Sequence, residues 1–209
     1  VPIYQVSHLG GLFSSFNTDV IENIDFYKSG FPARFGGKMS SVVDITTRDG
    51  NFYDYHGTFA IGLIDGHLQF EGPIVKGKTS FNVGLRRTWI ETISEPILYF
   101  FNKENQPDKL TLGYSFSDLN AKVTHKFSPK NTLRGSFYMG RDVFRYKQYN
   151  FSEYYQVGED GVAEIHRQQE NDVGIPMNWG NTLGSLDWKW DISDQLSMNV
   201  AAYYTRSHS

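Results

Sequence analysis

The sequence predicts a mainly β protein: a short segment of mixed helix and strand, then a long antiparallel, up-and-down run of strands. Three observations predict this. Phe, Tyr and Trp make up 16% of the 209 residues and glycine contributes 20, a balance that suits strands and turns better than helical bundles. From Phe52 onward, apolar and polar residues alternate with the two-residue period of a strand. The links between these segments are alternately short and long.

Residues 1–50 are of a different kind. Asn17-Thr18-Asp19 offers caps for one helical turn through Val20-Ile21-Glu22. Ile24-Asp25-Phe26-Tyr27 alternates as a strand, which Ser29-Gly30 breaks. Pro32-Ala33-Arg34-Phe35-Gly36-Gly37 reads as a turn, because its paired glycines accept positive φ. Ser41–Thr47 is a second strand, ended by Asp49-Gly50. The order helix, strand, turn, strand is α/β or α+β in character, and about 50 residues is short for an independent core.

Seven strands follow. Phe59, Ile61 and Leu63 oppose Thr58, Ala60 and Gly62 in the first; Leu68, Phe70 and Ile74 oppose Gln69 and Glu71 in the second. The third sets Phe81, Val83 and Leu85 against Asn82, Gly84 and Arg86. The fourth sets Leu119, Ala121, Val123 and Phe127 against Asp118, Asn120, Lys122, Thr124 and Lys126. In the fifth, Leu133, Phe137 and Met139 oppose Arg134, Ser136 and Asp142, with a phase slip near Val143-Phe144. Leu186, Trp188, Trp190 and Ile192 oppose Asp187 and Lys189 in the sixth. Leu196, Met198, Val200 and Ala202 oppose Ser197 and Asn199 in the seventh.

Lys76-Gly77, Ser128–Asn131 and Ser193-Asp194 are short links, whereas Glu91–Gly113 and Asn150–Asn178 read as long loops. Short turns on one side and long loops on the other are the pattern of an outer-membrane barrel. The tight turn at Ile64-Asp65-Gly66 is the exception. A soluble β-sandwich also alternates, but two loops of more than about twenty residues on one side are unusual for it. Aromatics near strand ends (Trp89, Tyr99, Phe100, Phe101, Tyr146, Tyr149, Tyr203, Tyr204) suit interface girdles. Bacterial single-chain barrels have an even strand count. With seven strands, a start at Val1 and a stop at Ser209 inside strand-like sequence, the chain reads as a piece of something longer.

Composition excludes several functions. A formal charge of −3 leaves no basic excess for nucleic acid. Without cysteine there is no disulfide framework, thiolate metal site or cysteine nucleophile. No apolar run approaches the length of a membrane-spanning helix. The six histidines are scattered without metal-ligand spacing, and the glycine pairs lack the lysine and serine of a phosphate loop. The expectation is no enzyme, no metal and no cofactor.

The first segment carries a resemblance. Val1-Pro2-Ile3-Tyr4, Ser7-His8-Leu9, Phe13–Lys28, Gly30–Gly37 and Ser40–Ile45 resemble the C-terminal part of a TonB-dependent receptor plug. Glu22-Asn23-Ile24-Asp25 matches the family's "IE.I" strand and Phe35-Gly36 its tyrosine-glycine turn, while Lys28-Ser29-Gly30 departs from the usual arginine-glycine-proline. Glu71-Gly72-Pro73-Ile74 and Arg86-Arg87-Thr88-Trp89 look like first barrel strands of a branch related to large nutrient importers. The resemblance implies residues 1–50 as the end of an α/β plug. Residues 51–209 would be the first seven or so strands of a plugged transmembrane barrel of about 22 strands. It further implies active nutrient import across the bacterial outer membrane. The partners would be TonB with its inner-membrane energising complex, membrane lipid, a nutrient ligand and, optionally, a surface lipoprotein. The alternative is a non-transporting β protein, either a soluble adhesin-like sandwich or a passive porin.

Arg34, Lys38, Glu71, Arg86 and Arg87 are the candidates for polar contacts between plug and barrel wall. Tyr99, Phe100 and Phe101 in one long loop, with Tyr154, Tyr155 and Trp179 in or beside the other, are the candidates for an outward ligand surface.

Overall fold

The computed structural model describes residues 7–8, 13–15, 17–28, 41–104, 109–157 and 163–209. Strand β1 (Ser7–His8) pairs antiparallel with β2 (Phe13–Ser14). A 3-10 turn over Thr18–Val20 follows, and the Asn17 side chain caps it by accepting the Asp19 N–H at 3.0 Å. This turn lies earlier than the expected one, so the next strand already begins at Ile21. That strand, β3 (Ile21–Tyr27), pairs antiparallel with β4 (Val42–Thr47). The turn expected over residues 30–37, with Arg34 and Lys38, lies outside the described residues.

The rest is a meander: β5 (His56–Ile61), β6 (Asp65–Val75), β7 (Thr79–Thr88), helix α1 (Ile90–Glu104), β8 (Lys109–Ser128), β9 (Asn131–Val157), β10 (Ala163–Ser193) and β11 (Leu196–His208). Among the described residues these seven strands form one antiparallel sheet in sequence order, with β5 and β11 at its edges. The described helix is too short and polar to cross a membrane.

Both long links turn out otherwise than expected. Glu91–Gly113 holds α1 and the start of β8. The helix covers an edge of β8 that β7 is too short to pair. Asn102 bonds the backbone of Leu110 with both amide atoms (2.8 and 2.7 Å), and Ser94 Oγ donates to the Leu112 carbonyl at 3.0 Å. Pro96 and the Tyr99–Phe101 aromatics hide the helical period of Ile90, Ile93 and Ile97. Most of Asn150–Asn178 is strand, because β9 and β10 pair out to Val157↔Ala163. Tyr154, Tyr155 and Val157 there are all exposed, so no covered face imposes a two-residue alternation.

The sheet is polar on its covered face and apolar on its bare one. Phe70 is 46% exposed beside Gln69 at 3%, and Val123 is 43% exposed beside Thr124 at 0%. Leu85, Phe137, Met139 and Leu186 share the bare face; Ser80, Asn82, Asp118 and Lys122 share the covered one, on which the N-terminal segment lies. The faces then exchange character. From Arg141 upward on β9, Arg141, Arg145 and Lys147 stand on the outer face, while Phe144 and Tyr146 turn inward beside Leu112, Ile175 and Met177. Pairing through this point has no bulge. The phase slip at Val143-Phe144 is therefore a change of environment rather than of register.

Candidate functional site

A seam of polar groups joins the N-terminal segment to the inner face of the sheet; beside a part-exposed His67–Asp19 contact at 3.3 Å, it holds two ionic locks with a tight contact between them. Alternation along β7, β8 and β9 aims Arg86, Asp118, Tyr138 and Asp142 inward. The β1–β2 pairing brings His8 against them.

In the first lock the His8 ring stacks on Phe116, with centroids 3.9 Å apart and planes 5° from parallel. Its Nδ1 meets Asp142 Oδ2 at 2.9 Å and its Nε2 meets Asp118 Oδ1 at 3.1 Å. Only an imidazolium has an N–H on both ring nitrogens, so two carboxylate partners require the protonated form. Arg86 donates Nε (3.0 Å) and Nη2 (2.7 Å) to Asp118 Oδ2, and Nη2 also reaches the Ser14 carbonyl at 2.5 Å. The hydroxyls of Tyr138 and Tyr114 donate to Asp118 Oδ1 and Asp142 Oδ1. Two cations, His8 and Arg86, then balance two carboxylates. Burial disfavours the charge on His8, but hydrogen bonds and charge from Asp118 and Asp142 outweigh it and hold the pKa above the ordinary 6.5.

In the second lock the signs are exchanged. Asp49, from the N-terminal segment, receives Lys122 Nζ at 2.7 Å and Arg134 Nε at 3.1 Å from the sheet. The backbone beside it is held as well. Lys122 Nζ donates to the Thr47 carbonyl at 2.5 Å, and Ser80 Oγ to the Asp49 carbonyl at 2.7 Å. Gly50 then turns with φ +83°, where a Cβ would strike the Phe81 carbonyl. Burial raises the Asp49 pKa, but Lys122 and Arg134 outweigh it and hold the carboxyl below its ordinary 3.8.

Between the locks, buried Val20 sits on Gly84 so closely that a Cβ there would collide with Val20 Cγ1. Of the sequence candidates, Arg86 stands in the first lock. Glu71 is on the inner face but accepts from its neighbour Gln69 at 3.1 Å. Arg87 is on the outer face, paired with Glu91 at 3.2 Å. Tyr99, Phe100 and Phe101 are exposed on α1, and Tyr154 and Tyr155 are exposed near the far end of β9, where Tyr154 stacks on His166. Trp179 is not in an outer loop. It stacks on Tyr114 within the sheet, its Nε1 buried without a hydrogen-bond partner. His8, Asp49, Lys122, Arg134 and Asp142 were not anticipated; the legible signal was that the last four are charges on the polar side of a strand or at its end.

No family model, no curated protein and no solved structure matches the chain. Among the described residues no group of acidic and histidine side chains is arranged to hold a metal ion.

Proposed function

We propose that this chain is part of a TonB-dependent importer of the bacterial outer membrane. Residues 1–50 are the end of its plug and 51–209 the first seven or so strands of its barrel. The observation that carries this reading is the inverted sheet. A soluble sandwich covers its apolar face, whereas here the polar face is covered and the apolar one is bare. On β8 the bare band runs from Leu119 to Phe127, nine residues, and a tilted membrane strand needs about 9–11. Stacked Trp188 and Trp190 mark its lower edge, next to the short turns.

In this reading the seam seats the plug against the wall. Nutrient bound above the seam shifts the plug equilibrium only by its differential affinity for the seated and released states. Pulling by TonB supplies the rest. A passive porin has no use for such a lock.

Two measurements test the reading. Fractionation of the full-length protein with a heat-modifiability gel should give outer-membrane residence and a boiling-dependent mobility shift; a soluble protein with no shift would sink the reading. Uptake should require TonB. Val123→Arg, at mid-band, should cost about 2–4 kcal/mol and lower the temperature of the gel transition.

A further inference from the structure

Between Asp49 and His56 the chain passes from one side of the sheet to the other, around the turn that joins β6 to β7. Asp49 is on the covered face, held by Ser80 and Lys122. Tyr55 is on the bare face. Its ring lies parallel to Phe70 with centroids 5.9 Å apart, and it covers Gly72 so closely that a Cβ there would strike it. Its hydroxyl donates to the Pro73 carbonyl at 2.9 Å. The crossing itself is fastened to the turn. Asn51 Oδ1 accepts the N–H groups of Tyr53 and Asp54 at 2.8 and 2.9 Å, which folds the crossing tightly. The Phe52 carbonyl accepts the Gly77 N–H at 2.9 Å, and Lys126 Nζ stands 3.8 Å from the centre of the Phe52 ring. Strand β5 starts at the next residue after Tyr55, with His56 opposite Glu71.

The two sides of Gly50 are therefore held by different physics. Upstream, charge pairs and one close contact hold the segment, and water can replace them one at a time. Downstream, ring stacking and backbone hydrogen bonds lead straight into the β5–β6 ladder. A pull along the strands loads that ladder's perpendicular bonds together rather than singly. We propose that residues 51–55 are a clasp that stays closed while the N-terminal segment leaves the wall, and that Gly50 is the fixed hinge at which its release stops. The proposal rests on the reading of residues 1–50 as the end of a plug. Asp49, one residue before the hinge, stays within reach of Lys122 and Arg134 and is the first contact to reform when the pull ends.

The test pulls the full-length protein, held in a lipid nanodisc, by a handle at its N-terminal end and reads the length released. Extension at low force should stop at Gly50, and only a higher force should open residues 51–55, in a further step of about 18 Å. Val20 Cβ lies 3.8 Å from the place of a Cβ on Gly84, the separation a disulfide needs. Bridging Val20→Cys to Gly84→Cys should shorten the low-force step by about 100 Å, and reductant should restore it. Bridging Tyr55→Cys to Gly72→Cys should leave that step unchanged. Hydrogen exchange on the unsubstituted protein keeps the proposal testable if the bridged variants misfold. The Arg48 N–H, bonded to the Val20 carbonyl, should exchange faster than the Gly77 N–H, bonded to that of Phe52. Residues 51–55 opening in the low-force step, that step shortened by the Tyr55–Gly72 bridge or indifferent to the Val20–Gly84 bridge, or Arg48 exchanging no faster than Gly77, overturns the clasp and leaves the importer reading standing. A chain that does not enter the discs overturns both.

Discussion

The two locks do the same work with opposite charge. At one, the N-terminal segment offers a cation, His8, to Asp118 and Asp142 of the sheet; at the other it offers an anion, Asp49, to Lys122 and Arg134. Because the signs alternate along the seam, a displaced or reversed segment would set like charges together in a poorly hydrated space. The difference teaches that the seam specifies a position as well as an affinity.

The most damaging way to break the comparison is to remove a carboxylate. Asp118→Ala leaves His8 and Arg86 facing one remaining acid, and Asp49→Ala leaves Lys122 buried without a counter-ion. Loss of one buried partner costs about 3–5 kcal/mol. Arg134 is part-exposed, so Asp49→Ala belongs at the low end of that range. Limited proteolysis of the N-terminal segment should accelerate in both variants, with Asp118→Ala the worse; an unchanged rate would show that the seam does not hold the segment.

Titration separates the locks by sign. The folded pKa of His8 is raised, so its contribution is complete below about 6.5 and fades as pH rises through the folded value. The folded pKa of Asp49 is lowered, so its contribution is complete above about 3.8 and fades as pH falls through the folded value. Segment protection measured against pH should therefore decline on both flanks. His8→Gln should flatten the alkaline decline alone, and Asp49→Asn the acid one alone. If either substitution flattened both flanks, the locks would be one coupled unit.

Between them, Gly84→Ala places a methyl against Val20 and should cost about 1–3 kcal/mol, read as a lower midpoint for release of the segment. Val20→Ala in the same chain should restore part of the loss, which distinguishes overpacking from a change in strand propensity.

How far this was legible depends on what alternation encodes. Leu119, Ala121 and Val123 against Asn120, Lys122 and Thr124 define two faces of β8 but not which one is covered, since period two is symmetric between them. The slip at Val143-Phe144 held real information: the faces trade environment there while pairing stays continuous. The far end of β9 was not legible because Tyr154, Tyr155 and Val157 are all exposed, so no covered face imposes a period there. His8 and Asp142 are 134 positions apart, so only folding brings them together.

The smallest effect sharpens the comparison by holding geometry constant. Lys130 Nζ meets Asp194 Oδ1 at 2.8 Å, nearly the distance of Lys122 from Asp49, yet both partners are largely exposed at the turn end. Water already satisfies each charge there, and holding two mobile side chains together offsets much of the attraction. Such a pair contributes about 0–0.5 kcal/mol. Lys130→Gln should leave segment protection and the heat-modifiability transition within error of the unsubstituted protein, whereas Lys122→Gln, at the same separation but buried, should expose the segment and leave Arg134 to hold Asp49 alone. Equal effects would mean that contact distance sets the strength of these pairs; unequal ones assign it to exclusion of water along the seam.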